Sequence, residues 1–478
     1  MTSDVTGHDV PPVVDIREDR PVAAPLTAAD LVVRNVPSAR VSLGKARKGW
    51  YAPLTPAAPS STRQAQILNT TLVAEATDHE GIVIGRDCLS NSVVAHDAFT
   101  AYQNKQITSP NVMVVGAVGA GKSALTKTVY VIRPFTFSDR RIVVFDKKDQ
   151  DGAGEYTELT HTLGGKPLRF ALDGSGSRLN LLDPVILAGD GVAGQLRLLQ
   201  TATELTGGTM SRAEKFALRR ARRSVLQKHG LSSDLRNPQF ETTPTLDDLL
   251  TALRTVHLDP EFDDLSPVAR DDLHQGGMHV YYGLTELLDT GLTGLFDGHT
   301  SSDVTFDHRL TTFDISQLPE DGPAVSLVMA VANVWLLGTL KRNGARFKTN
   351  VVAEEGWHLI GGPGGRLFHS NQKLARALGL STIANFHHLS DVPSDSTART
   401  VVKEAQTVHI YRQDREEDVN ECMSSFNLQE GSRPLLTDLY QGHHLLKISN
   451  RREIHVQHVR SPIEEQLTDT DAAMLAAR

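Results

Sequence analysis

The chain has 478 residues, of which 40 % are hydrophobic and 22 % charged. A single core usually stops growing at roughly 250 to 300 residues, so we expect two units with flexible ends. The formal net charge of -8 excludes a protein that is basic overall and coats nucleic acid, although it permits a local positive channel. Cys88 and Cys422 are too few for a disulfide framework or a thiolate metal site, and they indicate a reducing cytoplasm.

The two ends of the chain carry no membrane or secretion signal that we recognise. The N-terminus opens with an acidic residue and lacks the basic start and apolar run of a signal peptide. No uninterrupted apolar stretch approaches the roughly 20 residues that cross a bilayer, so we expect membrane contact only through a partner. Residues 1–60 are rich in proline without a sustained period and predict a disordered arm, and residues 461–478 form a polar tail.

Short apolar runs predict the strands of an α/β domain. Strands are expected at 81–85, 92–97, 111–115, 141–146, 310–315, 350–355 and 380–384. Several of these runs are apolar throughout, which is typical of strands covered on both faces, and they predict a parallel sheet between helical layers.

The strand pattern stops between 186 and 285, where helical spacing takes over. Ser211 and Glu214 have the spacing of a capping box, and Thr245 is a plausible N-cap. We therefore predict an all-helical insertion at 186–285 that divides one domain into a first part, 61–185, and a second part, 286–460.

The glycine-rich pattern G-x-x-x-x-G-K-S follows the predicted strand at 111–115 and precedes a helix candidate at 124–129. Its glycines let backbone N–H groups wrap phosphates at the positive end of the helix, which predicts a P-loop that binds ATP with Mg²⁺. Lys122 is expected on the β and γ phosphates and Ser123 on Mg²⁺. The predicted nucleotide-binding residues are Gly116, Ala117, Val118, Gly119, Ala120, Gly121, Lys122, Ser123 and Ala124.

Two adjacent carboxylates, Glu354 and Glu355, follow the apolar residues 351–353. ATP hydrolysis needs an acid near the metal and a base that orients water. Because successive strand residues point to opposite faces, we expect Glu354 to face the Mg²⁺ shell and Glu355 the attacking water. The alternative is that both only begin a polar loop after a core strand.

Over residues 80–460 the chain resembles the type IV secretion and conjugation ATPases of the VirB and TraC kind, within the HerA and FtsK group of hexameric translocases. The resemblance is carried, in order, by 81–85, 109–111, 145–146, 163–165, 179–184, 295–298, 313–316, 354–357 and the strand before His387. It implies a RecA-like α/β motor with a mostly parallel sheet and an all-helical insertion. It further implies ATP hydrolysis by a hexamer and contact with membrane-embedded secretion or conjugation channel proteins at the inner face of the cell membrane, with DNA as a further partner.

The chain departs from the family pattern at functional positions. The family usually has Asp before Glu where this chain has Glu354 and Glu355. His387 stands where the family has a glutamine sensor, so it is either a sensor of the γ-phosphate or a buried structural histidine. Arg376 matches the arginine that reaches a neighbour's nucleotide, with Arg399 as the alternative and an ordinary surface role also open.

Further alternatives concern docking, nucleic acid and turnover. Little chain precedes the P-loop compared with the family's large docking domain, so docking is expected to be reduced or delegated. The run 219–223, with four arginines, either contacts nucleic acid or a partner, or is a solvated helix face. The rival functions are a double-stranded DNA translocase of the HerA or FtsK kind and a nucleotide-binding scaffold with weak hydrolysis.

Overall fold

One sheet of eleven strands organises the fold in the computed structural model. Apart from one isolated position, the structure describes residues 80–231, 239–305, 308–319, 323–343, 347–354, 378–389 and 402–468. The chain divides into two compact units, Met1–Pro56 and Ala57–Arg478, and these ranges all belong to the second. The predicted N-terminal arm therefore lies outside the described residues.

The strands occupy the apolar runs and several segments that the sequence did not reveal. They are β1 (Val83–Asp87), β2 (Val93–Ala95), β3 (Val112–Val115), β4 (Arg140–Asp146), β5 (Asp149–Gln150), β6 (Ala153–Gly154), β7 (Lys166–Arg169), β8 (Leu310–Asp314), β9 (Lys348–Ala353), β10 (Leu380–Phe386), β11 (Thr407–Ile410), β12 (His443–Ile448) and β13 (Ile454–His458). β5 and β6 form a separate two-stranded ribbon.

The sheet has the order β2-β1-β13-β12-β11-β3-β10-β9-β4-β8-β7. From β11 to β7, every neighbouring pair is parallel. Strands β3, β4, β8 and β10 are buried along their whole length, as expected for strands covered on both faces. The predicted α/β class with a mostly parallel sheet is thereby confirmed.

An antiparallel extension continues the sheet beyond β11. β11 pairs with β12, β12 with β13, β13 with β1, and β1 with β2, all antiparallel. The sequence analysis predicted β1 and β2 but missed β12 and β13, which join them to the parallel part, and also β11, where the parallel part ends. This extension places β1 and β13, which lie near the two ends of the described domain, side by side in the sheet.

The helices flank the sheet and fill the interval between β7 and β8. They are α1 (Ala98–Gln103), α2 (Lys122–Leu125), α3 (Arg133–Phe135), α4 (Thr157–Thr162), α5 (Pro184–Gly207), α6 (Arg212–Lys228), α7 (Leu246–Arg254), α8 (Pro267–Leu287), α9 (Ala324–Asn343), α10 (Glu416–Ser425), α11 (Arg433–Asp438) and α12 (Pro462–Thr468). A π-helix at Thr126–Ile132 connects α2 to α3 without a break, and a second one at Leu288–Leu292 extends α8.

Between 184 and 292 the described residues form helices and no strand. α5 packs on α9, and α8 packs on α5 and α6. Ser211 and Glu214 form the capping box predicted for α6, and Thr245 caps α7 together with Asp248. The arginine run lies on α6 and only partly faces solvent: Arg222 is buried and donates to Gln195 Oε1 at 2.7 Å.

The helix α9 is the one candidate for a membrane span within the described residues. Its segment Ala324–Lys341 is long and apolar enough to cross a membrane by length and composition, although polar residues such as Asn333 interrupt it. However, 89 % of this segment is buried inside the chain. Its side chains belong to the same apolar core as Phe313 and Val351 of the sheet, so α9 packs as the core helix of a folded domain.

Candidate active site

The P-loop begins where the buried strand β3 ends. Gly116, Gly119 and Gly121 have φ angles of 149°, 74° and 107°, in the region that side chains other than glycine rarely adopt. A Cβ atom on Gly116 would also lie 2.5 Å from Cβ of Tyr411. Glycine is therefore required at Gly116 on two counts, since both its backbone angle and its contact with Tyr411 exclude a side chain.

Backbone hydrogen bonds from the neighbouring strands hold the loop in place. Ala117 N–H donates to Arg412 O at 2.8 Å, after β11, and Gly442 N–H donates to Ala120 O at 3.0 Å, before β12. The loop is thus fixed by the antiparallel extension as well as by its own strand. Its helix begins at Lys122, so that the positive end of the helix faces the loop.

Lys122 is the charged group at the centre of the loop. Its Nζ donates to Gly116 O at 2.5 Å and to Ala117 O at 2.8 Å, and it lies 3.1 Å from His387 Nδ1. The side chain is buried, and this burial lowers the pKa of Lys122 to about 8. The ammonium group is therefore poised at the loop for a phosphate but loses its charge more readily than an exposed lysine.

His387 follows β10, the strand that lies beside β3 in the sheet. Phe386, the last residue of β10, pairs with Val115, and Gly116 N–H donates to Phe386 O at 3.2 Å. This register brings His387 next to the first glycine of the P-loop. The structure thus brings together Lys122 and His387, which lie far apart in the sequence.

Glu354 follows β9, which is separated from β3 only by β10. Its Oε1 accepts a hydrogen bond from the Tyr156 hydroxyl, and its Oε2 accepts one from Asn385 Nδ2 at 2.7 Å. Burial and the nearby Glu155 carboxylate raise the pKa of Glu354, while the two hydrogen bonds oppose the rise. Tyr156 and Asn385 therefore fix and partly stabilise a buried carboxylate.

Asn385 also connects this carboxylate to the P-loop helix. Thr126 donates through Oγ1 to Asn385 Oδ1 at 3.1 Å, one helical turn after Lys122. The chain Thr126–Asn385–Glu354 thus runs from the helix across β10 to the end of β9. Such a network of hydrogen-bonded polar groups holds its members in a single arrangement.

Sequence reasoning missed the acidic groups around Glu354. Glu155 lies directly after β6 and forms ion pairs of 2.9 Å with both Lys127 and Lys148. Burial alone would raise its pKa, but the two ammonium groups lower it. Asp146, at the end of β4, is buried, and its Oδ1 has no hydrogen-bond partner within the described part of the chain. The motif Phe145-Asp146 in the sequence was the available signal for this acid.

The residues predicted to hold Mg²⁺ fit that ion chemically. Mg²⁺ prefers oxygen ligands and is usually bound by one or two carboxylates together with phosphates. Ser123, in the first turn after the P-loop, has a hydroxyl that forms no hydrogen bond within the residues that the structure describes, and Glu354 supplies a carboxylate. The buried acids behind them, including Asp146 with its unpaired oxygen, make this edge of the sheet suited to a cation.

Two of the predicted catalytic residues, Glu355 and Arg376, lie outside the described residues, as does the alternative Arg399. Of the predicted site, the structure brings together the P-loop, His387 and Glu354.

Solved structures with the same architecture include VirB4 and a bacterial conjugative coupling protein. VirB4 of Thermoanaerobacter pseudethanolicus superposes with a TM-score of 0.66 at 20 % identity, over 82 % of this chain and 100 % of that one. The bacterial conjugative coupling protein TrwB, lacking 70 N-terminal residues and in an unbound form, gives a TM-score of 0.52 at 14 % identity, over 78 % and 88 %. This chain shares their fold.

A further TrwB structure contains a nucleotide. It is described as a plasmid coupling protein in complex with the non-hydrolysable ATP analogue ADPNP, and it matches with a TM-score of 0.52 and 14 % identity, over 83 % of this chain and 92 % of that one. No family model matches the sequence, and no curated protein matches it significantly. The likeness is therefore one of three-dimensional structure.

Proposed function

We propose that this protein is an ATP-hydrolysing motor that energises conjugative DNA transfer or type IV secretion. The observation that carries the proposal is the convergence of the P-loop lysine, Lys122, with His387 and Glu354 at one edge of a sheet that has the VirB4 and TrwB fold. In the sheet, β10 lies between the P-loop strand β3 and the strand β9, which Glu354 follows. The ADPNP complex of TrwB supports ATP as the nucleotide.

Each residue has a defined part in the proposed reaction. The backbone N–H groups of the P-loop bind the phosphates, and Lys122 turns from the carbonyl oxygens of Gly116 and Ala117 to the β and γ phosphates. Mg²⁺, when bound, would neutralise the negative charge that develops on the phosphates during transfer. Ser123 and Glu354 would hold that ion, Glu355 orients the attacking water, and His387 donates to the γ-phosphate or accepts from the water.

We further propose a homo-oligomer, a hexamer, in which each nucleotide lies between two subunits. Arg376, or alternatively Arg399, would reach the nucleotide of the neighbouring subunit. The partners would be membrane-embedded channel proteins of a secretion or conjugation apparatus, with DNA as a further partner. The protein would then work in the cytoplasm, peripherally at the inner face of the cell membrane.

One set of measurements distinguishes this motor from its rivals. The purified protein should hydrolyse ATP, and its mass in solution should be that of a ring. Hydrolysis that depends on added double-stranded DNA, with salt-sensitive DNA binding, would support the DNA translocase instead. Tight ATP binding without turnover under any of these conditions would support the nucleotide-binding scaffold and overturn the motor.

A further inference from the structure

A second cluster of potential ligands lies on the antiparallel extension of the sheet. Sγ of Cys88 is 3.5 Å from Nδ1 of His443, and that same Nδ1 is 3.2 Å from Nε2 of His455. The three atoms all lie within 4.8 Å of one another. No residue of this cluster belongs to the proposed ATPase site.

The sheet topology brings these residues together from distant parts of the chain. Cys88 follows β1, and its N–H donates to His455 O at 2.8 Å on the paired strand β13. His443 opens β12, where it lies diagonally across from His455, because His443 pairs with Gln457 and Leu445 pairs with His455. Diagonal neighbours on one face of an antiparallel pair are within reach of long side chains.

Two of the three separations match those of ligands around a tetrahedral zinc ion. With Zn–S near 2.3 Å and Zn–N near 2.05 Å, tetrahedral geometry places sulfur and nitrogen about 3.5 Å apart and two nitrogens about 3.3 Å apart. The observed values are 3.5 and 3.2 Å. Hydrogen bonding explains the cluster less well, since the thiol and the second imidazole both approach one nitrogen that has a single donor or acceptor position.

We propose that Cys88, His443 and His455 bind one Zn²⁺ ion per chain, with water in the fourth position. Thiolate and imidazole are ligands that select zinc over Mg²⁺, so the site is chemically distinct from the oxygen-lined edge at Ser123 and Glu354. Cys88 is exposed, and the two histidines are partly buried, which leaves one side open to water. The sequence analysis excluded a thiolate metal site because it counted cysteines alone. Histidines can supply the remaining ligands.

The protonation states favour binding at neutral pH. Burial lowers the pKa of His443, and burial together with His443 lowers the pKa of His455, so both imidazoles are neutral and offer lone pairs. Partial burial and the Asp87 carboxylate raise the pKa of Cys88, so the thiol keeps its proton until the metal arrives. Binding then forms the Zn–S bond and releases that proton to the solvent.

The position of the site gives it a structural consequence. Zinc would join the end of β1 to the β12–β13 hairpin. Gly442, directly before His443, donates its N–H to Ala120 O of the P-loop at 3.0 Å. An ion that binds only the folded chain stabilises it, so the melting temperature should rise with zinc concentration.

The test uses full-length protein without an affinity tag, stripped of metal by a chelator and then titrated with Zn²⁺ against a chromogenic chelator. We expect one saturable site per chain. Replacing zinc with Co²⁺ should produce the near-ultraviolet absorption of a thiolate–cobalt bond. The variants Cys88→Ser and His455→Asn should each lose that absorption and weaken zinc binding by about 100-fold or more.

Two controls keep the result specific. His279→Asn changes an exposed histidine on α8 and should bind zinc as the unmodified protein does. Without metal, the variants should have the same melting temperature as the unmodified protein. Cys88 is exposed, so its replacement by serine disturbs no core packing. Absence of a stoichiometric site in the parent, or zinc affinity unchanged in both cluster variants, would overturn the proposal. ATP hydrolysis is not part of this test, so either proposal can fail without the other.

Discussion

Nζ of Lys122 lies 3.1 Å from Nδ1 of His387, and this contact joins the P-loop to the end of the neighbouring strand β10. The ammonium group can only donate, so Nδ1 of His387 acts as the acceptor in this arrangement. The same ammonium group donates to Gly116 O and Ala117 O. A phosphate that enters the loop therefore competes with partners that are already in place.

The protonation of Lys122 should control ATP affinity. Burial lowers its pKa to about 8, so the free protein carries this charge below that pH and loses it above. We expect ATP affinity to be constant below about pH 8 and to fall by up to tenfold per pH unit above it. Calorimetric titrations on both sides of this pH measure the effect. In Lys122→Arg the guanidinium stays charged, so any remaining affinity should not show this fall, and a flat profile in the unmodified protein would contradict the assignment.

Replacing His387 separates a sensor from a structural histidine. His387→Ala should retain ATP affinity but lower kcat by about 10²-fold, because a positioned group at the γ-phosphate is lost. His387→Gln, which restores a polar group that can hydrogen-bond, should recover most of the turnover. Single-turnover hydrolysis together with equilibrium ATP binding measures both quantities. Turnover unchanged in His387→Ala would leave His387 with a structural role only.

Tyr156 should act on the reaction through Glu354. Its hydroxyl donates to the Glu354 carboxylate and so favours the charged form. Without this bond, as in Tyr156→Phe, the pKa of Glu354 should rise further, and the acid limb of the kcat/KM profile should move to higher pH. Tyr130→Phe is the matched control, since it removes another buried hydroxyl, bonded to His409 Nε2 at 2.6 Å, without touching Glu354. Equal profiles in the two variants would show that Glu354 does not titrate in the reaction.

An arginine supplied by a neighbouring subunit predicts complementation between inactive variants. Arg376→Ala should bind ATP without hydrolysing it, because such arginines contribute about 10³ to 10⁵ in rate. Mixed with Glu355→Gln, it should regain part of the activity, since some interfaces then hold both an intact base and an intact arginine. Absence of rescue in mixtures shown to assemble together would contradict a shared site. The same mixture made with Arg399→Ala tests the alternative arginine.

Most of the parallel part of the fold could be predicted because its buried strands contain short apolar runs, whereas β7 and β11 were missed. β4 and β10 are examples, and both were expected within a few residues of their observed bounds. The strands β11, β12 and β13 escaped because they contain buried histidines such as His409 and His444, which a hydrophobic pattern treats as polar. These two imidazoles are paired with each other at 3.0 Å, a contact that only the sheet register creates.

In the candidate site, too, some residues could be predicted from the sequence and others could not. Glycines with a fixed spacing predict the P-loop, because the residues of this local motif are themselves the ones that bind phosphate. The Tyr156 and Asn385 partners of Glu354 carry no such signature, since they come from the short connection between β6 and α4 and from the strand β10. Contacts between residues so far apart in sequence depend on the finished sheet and cannot be derived from local patterns.

The central claim is most directly tested by measuring ATP binding and steady-state hydrolysis of the purified full-length protein beside Lys122→Ala and Glu355→Gln. Lys122→Ala removes the charge at the P-loop and should lose binding or turnover with an unchanged melting temperature. Glu355→Gln should bind ATP but stall, because the amide keeps the shape of the side chain without accepting a proton. Magnesium-dependent hydrolysis that disappears in both variants is the predicted result. Unchanged ATP affinity and hydrolysis in Lys122→Ala would contradict the proposed site.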